Sequence, residues 1–211
     1  MRFVDYSFKH FLEKLAHEKA AGPSPTFSVF HLLVAIELIA ENPIGRNKLA
    51  ERLKVGDGAV RTIISRLKNV GLLETSKTGC SLTEKGMKLW KEYSSVMKKV
   101  EIKKNELALA DYSFAVLVKN HGQKVESGME QRDAAVIMGA KSVTTIVFRK
   151  GRLMIPSVSN DVAHDFPQAT AQILRLLSPK ENDAIVISSA DNPRKAEYGA
   201  LSAAWTLIDD S

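Results

Sequence analysis

The sequence contains a single cysteine, Cys80, in 211 residues. One thiol cannot form an internal disulfide or a cluster of thiolate metal ligands, so a reducing, cytoplasmic environment is the simplest expectation. The histidines, at positions 10, 17, 31, 121 and 164, show no spacing that is typical of metal ligands. We therefore expect neither a metal site nor a cofactor.

Long apolar runs are also missing. The most apolar stretch, residues 27–40, is shorter than the roughly 18 residues that a membrane-spanning helix needs, and Glu37 interrupts it. Residues 1–10 lack the apolar core of a signal peptide. Catalytic signatures are absent as well, because the chain has no nucleophile elbow, P-loop or GxGxxG sequence. These absences argue against a membrane protein and give no catalytic residue.

Charge is unevenly distributed along the chain, whose net charge is +6. Residues 1–104 contain 19 Lys/Arg against 11 Asp/Glu, and residues 105–211 contain 11 against 13. A basic half joined to a slightly acidic half indicates one polyanion-binding domain and one domain with another role. A chance distribution of surface charge is the alternative.

Apolar periodicity and turn signals predict a mainly helical first domain, residues 1–104. The first helix carries the stripe Phe8, Phe11, Leu12 and Leu15 and should end near residues 20–25. Asp57 is expected to cap the fourth helix and Thr83 the fifth. The predicted elements are helices at about 8–20, 27–41, 46–53, 57–70 and 84–104, and strands at 72–76 and 79–82.

Three stretches carry a family resemblance: IGRNKLAERLKVGDGAVRTIISRLKNVGLLE, the SKTG turn and SLTEKGMKLW. Over about residues 27–100 the chain resembles winged helix-turn-helix proteins, notably MarR-like and related bacterial and archaeal regulators. The resemblance implies a recognition helix at 57–70, a wing around Lys77, and binding to double-stranded DNA. Because winged helices also serve as protein-interaction modules, that role is the alternative.

The predicted recognition helix has an apolar stripe of Val60, Ile63, Ile64 and Leu67, which leaves its polar side chains toward solvent. Arg61 is expected to reach guanine in the major groove, and Lys77 to reach phosphate or the minor groove. The residues expected to contact DNA are Arg46, Asn47, Lys48, Gly58, Arg61, Thr62, Ser65, Lys68 and Lys77.

In the second half the sequence pattern changes to strand-like runs between helical segments, which predicts a separate domain, residues 105–211. Strand-like runs at 112–119, 143–149, 152–156 and 183–189 alternate with helical segments at 128–138, 163–177 and 193–207. The order β-α-β-β-α-β-α predicts a two-layer α+β domain. The overall fold class is therefore α+β, with a mainly helical domain first.

A small anionic effector is the ligand that we expect in the second domain. Strand 183–189 runs through small polar residues into a helix start, where free N–H groups favour anions. Asp191 or Asn192 could instead simply cap that helix, which is the alternative. The candidate ligand-binding residues are Arg132, Ser188, Ser189, Asn192, Arg194 and Lys195.

The stretches QRDAAVIMGAKSVTTIVFRKGRLMIP and SADNPRKAEYGALSAAW, following a winged helix, also resemble an uncharacterised archaeal regulator-like family. That resemblance implies a small α+β domain without assigned chemistry. We expect a DNA-binding transcriptional regulator and not an enzyme. We also expect a homodimer, because the helices at 8–20 and 84–104 carry more apolar side chains than a small core can cover. An enzyme or metabolite-binding protein with its chemistry in the second domain is the alternative.

Overall fold

The structure, a computed structural model, describes residues 8–18 and 26–209. The chain divides into two compact units, of which the first ends at Ser94 and the second spans Ser95–Asp209. This boundary is earlier than the expected one at 104/105, because Met97–Glu101 is a strand of the second unit's sheet. The turn expected at residues 20–25 lies outside the described residues.

The first unit contains the predicted helix-turn-helix and wing. Helix α2 ends before Pro43, which disfavours helical backbone in the residue that precedes it, and Gly71 follows α4 with a φ of 74°. Thr83 caps α5, since its Oγ1 accepts from the Gly86 N–H at 3.1 Å. The elements are α1 (Phe8–His17), α2 (Val29–Glu41), α3 (Arg46–Leu53), α4 (Asp57–Asn69), β1 (Leu73–Ser76), β2 (Gly79–Leu82) and α5 (Glu84–Val96).

Helix α1 is covered within the chain. Phe8, Leu12 and Leu15 are buried, α1 packs against α2, and the Phe8 ring meets the Tyr93 ring of α5 edge-on with centroids 6.0 Å apart. These side chains therefore give no reason for a homodimer, and the expectation that they exceed what one chain can cover is wrong. The predicted helix at 84–104 is also too long, because α5 ends at Val96.

The second unit combines a five-stranded sheet with helices, which confirms the α+β class. Its sheet has the strand order β3-β4-β7-β5-β6, and every neighbouring pair is antiparallel. The elements are β3 (Met97–Glu101), β4 (Tyr112–Val118), α6 (Met129–Ile137), β5 (Ser142–Arg149), β6 (Arg152–Met154), α7 (Val162–Asp165), α8 (Pro167–Leu177), β7 (Ala184–Ala190) and α9 (Pro193–Trp205).

Helices cover both faces of this sheet, so the unit has three layers rather than the expected two. Ile185 and Ile187 of the central strand β7 share a core cluster with Ile173 of α8. Ser188, the next residue, points to the other face, where its Oγ lies against Gly199 of α9. Strand β7 is therefore buried along its whole length, as its nearly continuous apolar run predicts.

Two further elements differ from the prediction. The expected helix 163–177 is divided into α7 and α8, because Phe166 leaves the helical region before Pro167 starts α8. The segment expected to end the fifth helix forms the edge strand β3, which pairs with β4 from Met97↔Val118 to Glu101↔Phe114.

Candidate nucleic-acid interface

Helix α4 presents two faces of opposite character. Val60, Ile63 and Leu67 are fully buried and hold the helix on the core, whereas Gly58, Arg61, Ser65 and Lys68 are exposed. Ile64, expected in the core, is only half-buried and reaches the polar side. The exposed face therefore combines cations with small residues.

Thr62 is half-buried, and its hydroxyl donates to the Gly58 carbonyl at 2.9 Å. Only its oxygen lone pairs are thus left for an outside donor. Arg46, Asn47 and Lys48 are all exposed in the first turn of α3, whose N-cap is Gly45. The N–H groups of a first turn lack partners within the helix, and together with the helix dipole they favour an anion.

A cleft of about 410 Å³ separates α4 from the wing. Its cationic lining residues are Arg46, Arg61 and Lys68, and none of its described lining residues is a carboxylate. The Nζ of Lys68 spans from α4 to the wing and donates to Thr75 Oγ1 at 3.4 Å. The remaining lining residues are Ile64, Ser65, Thr75, Ser76, Gly79 and Cys80. Positive charge therefore predominates among the residues that line the cleft.

The wing is held in place by the loop before α3. Ile44 and Cys80 exchange backbone hydrogen bonds of 3.1 and 2.9 Å. Gly79 has a φ of 125°, and a Cβ there would lie 2.7 Å from the Ile44 carbonyl, so only glycine fits. The wing tip is thereby fixed, and Lys77 is exposed on it.

Cys80 lies inside this hairpin and is 3% exposed. Its burial raises the pKa of the thiol above its ordinary value. The thiolate form is therefore disfavoured at neutral pH.

Asp57 joins two of the predicted DNA-contacting residues. Its Oδ2 lies 2.6 Å from Nη2 of Arg61, one turn further along α4, and its Oδ1 lies 3.3 Å from Nε of Arg46 on α3. Asp57 is not the N-cap that we expected, because Gly56 occupies that position. This ion pair was not expected from the sequence, although the spacing of Asp57 and Arg61 by four residues is a recognisable signal.

Arg66 was also missed, and it lies on the inner side of α4. It is 5% exposed, and its guanidinium donates to the carbonyls of Leu15 at 2.8 Å, Ala16 at 2.6 Å and Glu18 at 2.5 Å. These carbonyls belong to the end of α1, where backbone acceptors lack helical partners. Arg66 thus ties α4 to α1.

The second unit places the residues predicted to bind an anion in different surroundings. Ser188 and Ser189 are both fully buried, and they point to opposite faces of the sheet, since Ser189 Oγ accepts from Ser113 Oγ at 2.8 Å while Ser188 lies against α9. The two hydroxyls therefore do not meet at one surface site. Arg132 is exposed in the first half of α6.

The start of α9 is capped by the side chain of Asn192. Asn192 Oδ1 accepts from the N–H groups of Arg194 at 2.9 Å and Lys195 at 3.4 Å. Lys141 and Lys195 both approach Asp191, and the hydrogen bond from Lys141 is the main cause that lowers the pKa of Asp191. An anion at this turn would have to displace the amide oxygen of Asn192, and the site stays a prediction.

The described residues contain neither a candidate membrane-spanning helix nor a candidate metal-ligand cluster. No helix within 8–18 and 26–209 combines the length and the hydrophobicity needed to cross a bilayer. In the same part of the chain, no three His, Cys, Asp or Glu side chains are grouped so that they could hold a metal ion.

Family models match both parts of the chain. Residues 31–88 match the model described as PH0730-like, N-terminal domain, and residues 109–207 match the model described as domain of unknown function DUF4443. Among curated proteins, none matches this chain.

The solved structures that are similar to this chain include one that matches most of both chains. The hypothetical protein PH0730 from Pyrococcus horikoshii OT3 is 26% identical with a TM-score of 0.71, and the match covers 86% of this chain and 92% of that one. The multiple antibiotic-resistance repressor MarR from Listeria monocytogenes 4b F2365 is 22% identical with a TM-score of 0.30, over 40% of this chain and 57% of its own. Lactococcus lactis ZitR is 25% identical with a TM-score of 0.29, over 37% and 56%.

The last two TM-scores lie below 0.5, so nothing about this chain follows from them. By the two family models, residues 31–88 are therefore similar to PH0730-like N-terminal domains, and residues 109–207 are similar to DUF4443 domains.

Proposed function

We propose that this protein is a transcriptional regulator whose first unit binds double-stranded DNA sequence-specifically, with α4 in the major groove. The observation that carries the proposal is that the exposed cations Arg61 and Lys68 of α4 and Arg46 of α3 line one cleft beside the wing, on which Lys77 is exposed. The helix-turn-helix and the wing place this surface on one side of a folded core, as reading a duplex requires.

Each part of this surface can contact a particular chemical group of the DNA. The major groove is about 12 Å wide and accepts a helix, and a guanidinium at Arg61 can donate two hydrogen bonds to guanine. Ser65 can contact bases or phosphates. The first turn of α3, with Arg46, Asn47 and Lys48, suits a backbone phosphate, and Lys77 on the wing suits phosphate or the minor groove.

A homodimer with effector sensing or assembly in the second unit completes the proposal. Two-fold pairing would place two recognition helices about one DNA turn apart, where each reads a half-site. The second unit offers apolar surface for assembly at the end of α6, where Val136 is 51% and Ile137 is 77% exposed. Sedimentation equilibrium at micromolar concentrations tests the dimer, and a monomer at all concentrations would contradict it.

The DNA-binding proposal is tested by selecting duplexes from a random library and measuring affinity by fluorescence anisotropy at several salt concentrations. Wild-type protein should prefer the selected duplex to random DNA, and affinity should fall steeply with salt because bound counterions are released. Arg61→Ala should reduce the preference, whereas Lys77→Ala should weaken all duplexes alike and lower the salt slope by about one.

Lys180→Ala is the matched control, because it removes an exposed cation from the second unit. It should leave both the preference and the salt slope unchanged. If selection enriches no sequence, or if random and selected duplexes bind equally at low salt, the protein is not a sequence-specific regulator.

A further inference from the structure

We propose that Asp57 is a positioning residue for DNA reading, which holds Arg61 for a guanine base and away from phosphate. The inference rests on the proposed function. Asp57 is half-exposed, and its two carboxylate oxygens lie 2.6 Å from Arg61 Nη2 and 3.3 Å from Arg46 Nε. One acidic side chain thus sits between two arginines on the surface that would face a polyanion.

Stability gives little reason for this arrangement. The side chains of Arg46, Asp57 and Arg61 are 48%, 53% and 61% exposed, and ion pairs at such exposure contribute little to folding. A carboxylate also repels DNA phosphates, so it weakens nonspecific binding. The arrangement is therefore best explained by its effect on how the arginines bind.

The ion pair with Asp57 restricts the orientation of the Arg61 guanidinium. A guanidinium has five N–H donors in a planar fork, so an Nη2 contact with Asp57 still leaves donors for both O6 and N7 of guanine. Fixing a side chain with several rotatable bonds lowers the ordering cost of binding. A phosphate, in contrast, would have to compete with the carboxylate of Asp57 for the same guanidinium.

Arg46 extends the same link to α3. Since Asp57 contacts arginines from both helices of the helix-turn-helix, its removal releases two cations at once. Both would then be available to the DNA backbone, whose charge attracts them regardless of sequence.

The test compares Asp57→Asn with Glu51→Gln by anisotropy on the selected duplex, on the same duplex with its guanines replaced in turn, and on random DNA. Glu51 is an exposed carboxylate of α3, so its variant makes the same change in net charge. Asp57→Asn should bind random DNA several-fold more tightly, with a salt slope steeper by up to about two because two cations are released. Its preference for one guanine position should fall about tenfold. Glu51→Gln should keep the wild-type preference.

A double-mutant cycle separates positioning from a structural effect. If Asp57 acts through Arg61, then Asp57→Asn in an Arg61→Ala background should cause no further loss of guanine preference. Asp57 also lies in the first turn of α4, where a carboxylate favours the helix dipole. Thermal unfolding of each variant measures that contribution, and its loss should lower stability without changing base preference.

The inference is wrong if Asp57→Asn changes guanine preference no more than Glu51→Gln does, while the wild-type protein still selects a sequence. It is also wrong if Asp57→Asn lowers the preference equally with and without Arg61. If the wild-type protein selects no sequence, the proposed function fails first, and the inference fails with it.

Discussion

Replacing Arg66 with methionine tests how the recognition helix is fixed in the first unit. Methionine keeps an unbranched apolar stem of similar length but removes the guanidinium. The guanidinium donates to three carbonyls at the end of α1, at 2.8, 2.6 and 2.5 Å, and lies 5.2 Å from the centroid of the Phe27 ring. The substitution therefore leaves buried or half-buried acceptors at the end of α1 without these donors.

The expected magnitude follows from these contacts. Hydrogen bonds from a charged donor contribute about 1.5–3 kcal/mol each, and the contact with an aromatic ring adds about 1 kcal/mol. The contributions are not additive, because α1 can fray and expose its carbonyls to water once the donors are lost. We therefore expect Arg66→Met to lower the free energy of unfolding of the first unit by about 3 kcal/mol, or its Tm by about 15 °C.

Hydrogen exchange measured by mass spectrometry, together with calorimetry, is the suitable assay. Amides of α1 should lose protection in Arg66→Met, while amides of β7 in the second unit should not. Arg66→Lys should recover only a minor part, because an ammonium group cannot reproduce the planar fork. Arg61→Met, on the exposed face of the same helix, should change stability by less than about 1 kcal/mol. Unchanged α1 protection and an unchanged Tm in Arg66→Met would refute the reasoning.

Other predictions concern ionisable groups. Lys99→Met should destabilise the second unit by about 3 kcal/mol in urea unfolding, because Lys99 pairs with Glu197 where the two side chains are only 10% and 20% exposed; adding Glu197→Leu should restore most of the loss. The Glu106 carboxylate accepts hydrogen bonds from the N–H groups of Gln168 and Ala169 at the start of α8. Desolvation raises the pKa of Glu106, but backbone hydrogen bonds to its carboxylate outweigh this effect and lower the pKa below the ordinary 4.5. Its stabilisation is therefore present above pH 4.5 and lost as the pH falls through the lowered pKa, so the difference in Tm between Glu106→Gln and wild type should be largest near pH 7 and should shrink as the pH is lowered below 4.5. Cys80, whose pKa burial raises, should react with iodoacetamide at pH 8 more slowly than free cysteine does, and at the ordinary rate only in denaturant.

Elements with local signals were predictable from the sequence. Gly71 ends α4 and Thr83 caps α5 through contacts within a few residues, and such signals are legible without knowledge of the fold. Strand β3 was missed because nothing local distinguishes it clearly from the end of a charged helix. Val100, within β3, and Ile102, just after it, alternate with charged residues, which was a weak signal; pairing with β4 decides the outcome.

Arg66 illustrates what the sequence could not provide. Its first acceptor, the carbonyl of Leu15, lies 51 residues earlier in the chain, and no spacing rule links the two. The periodicity of α4 predicted Val60, Ile63 and Leu67 as core residues. An arginine beside them, such as Arg66, is normally expected at the surface. Long-range acceptors that lack helical partners make its burial possible.

Arg61 and Arg66 show how one residue type takes two roles on the same helix. Five residues at about 100° each place them about 140° apart around α4, and their exposure differs accordingly, with the Arg61 side chain 61% exposed and Arg66 only 5% exposed. Arg66 donates to neutral carbonyls of its own unit, so its loss should reduce DNA binding by destabilising the first unit. Arg61 is held by a carboxylate that a base can supplement, so its loss should change the sequence bound by a protein that is still folded. Measurements of stability and of base preference on the same variants therefore assign each arginine to the core or to the interface.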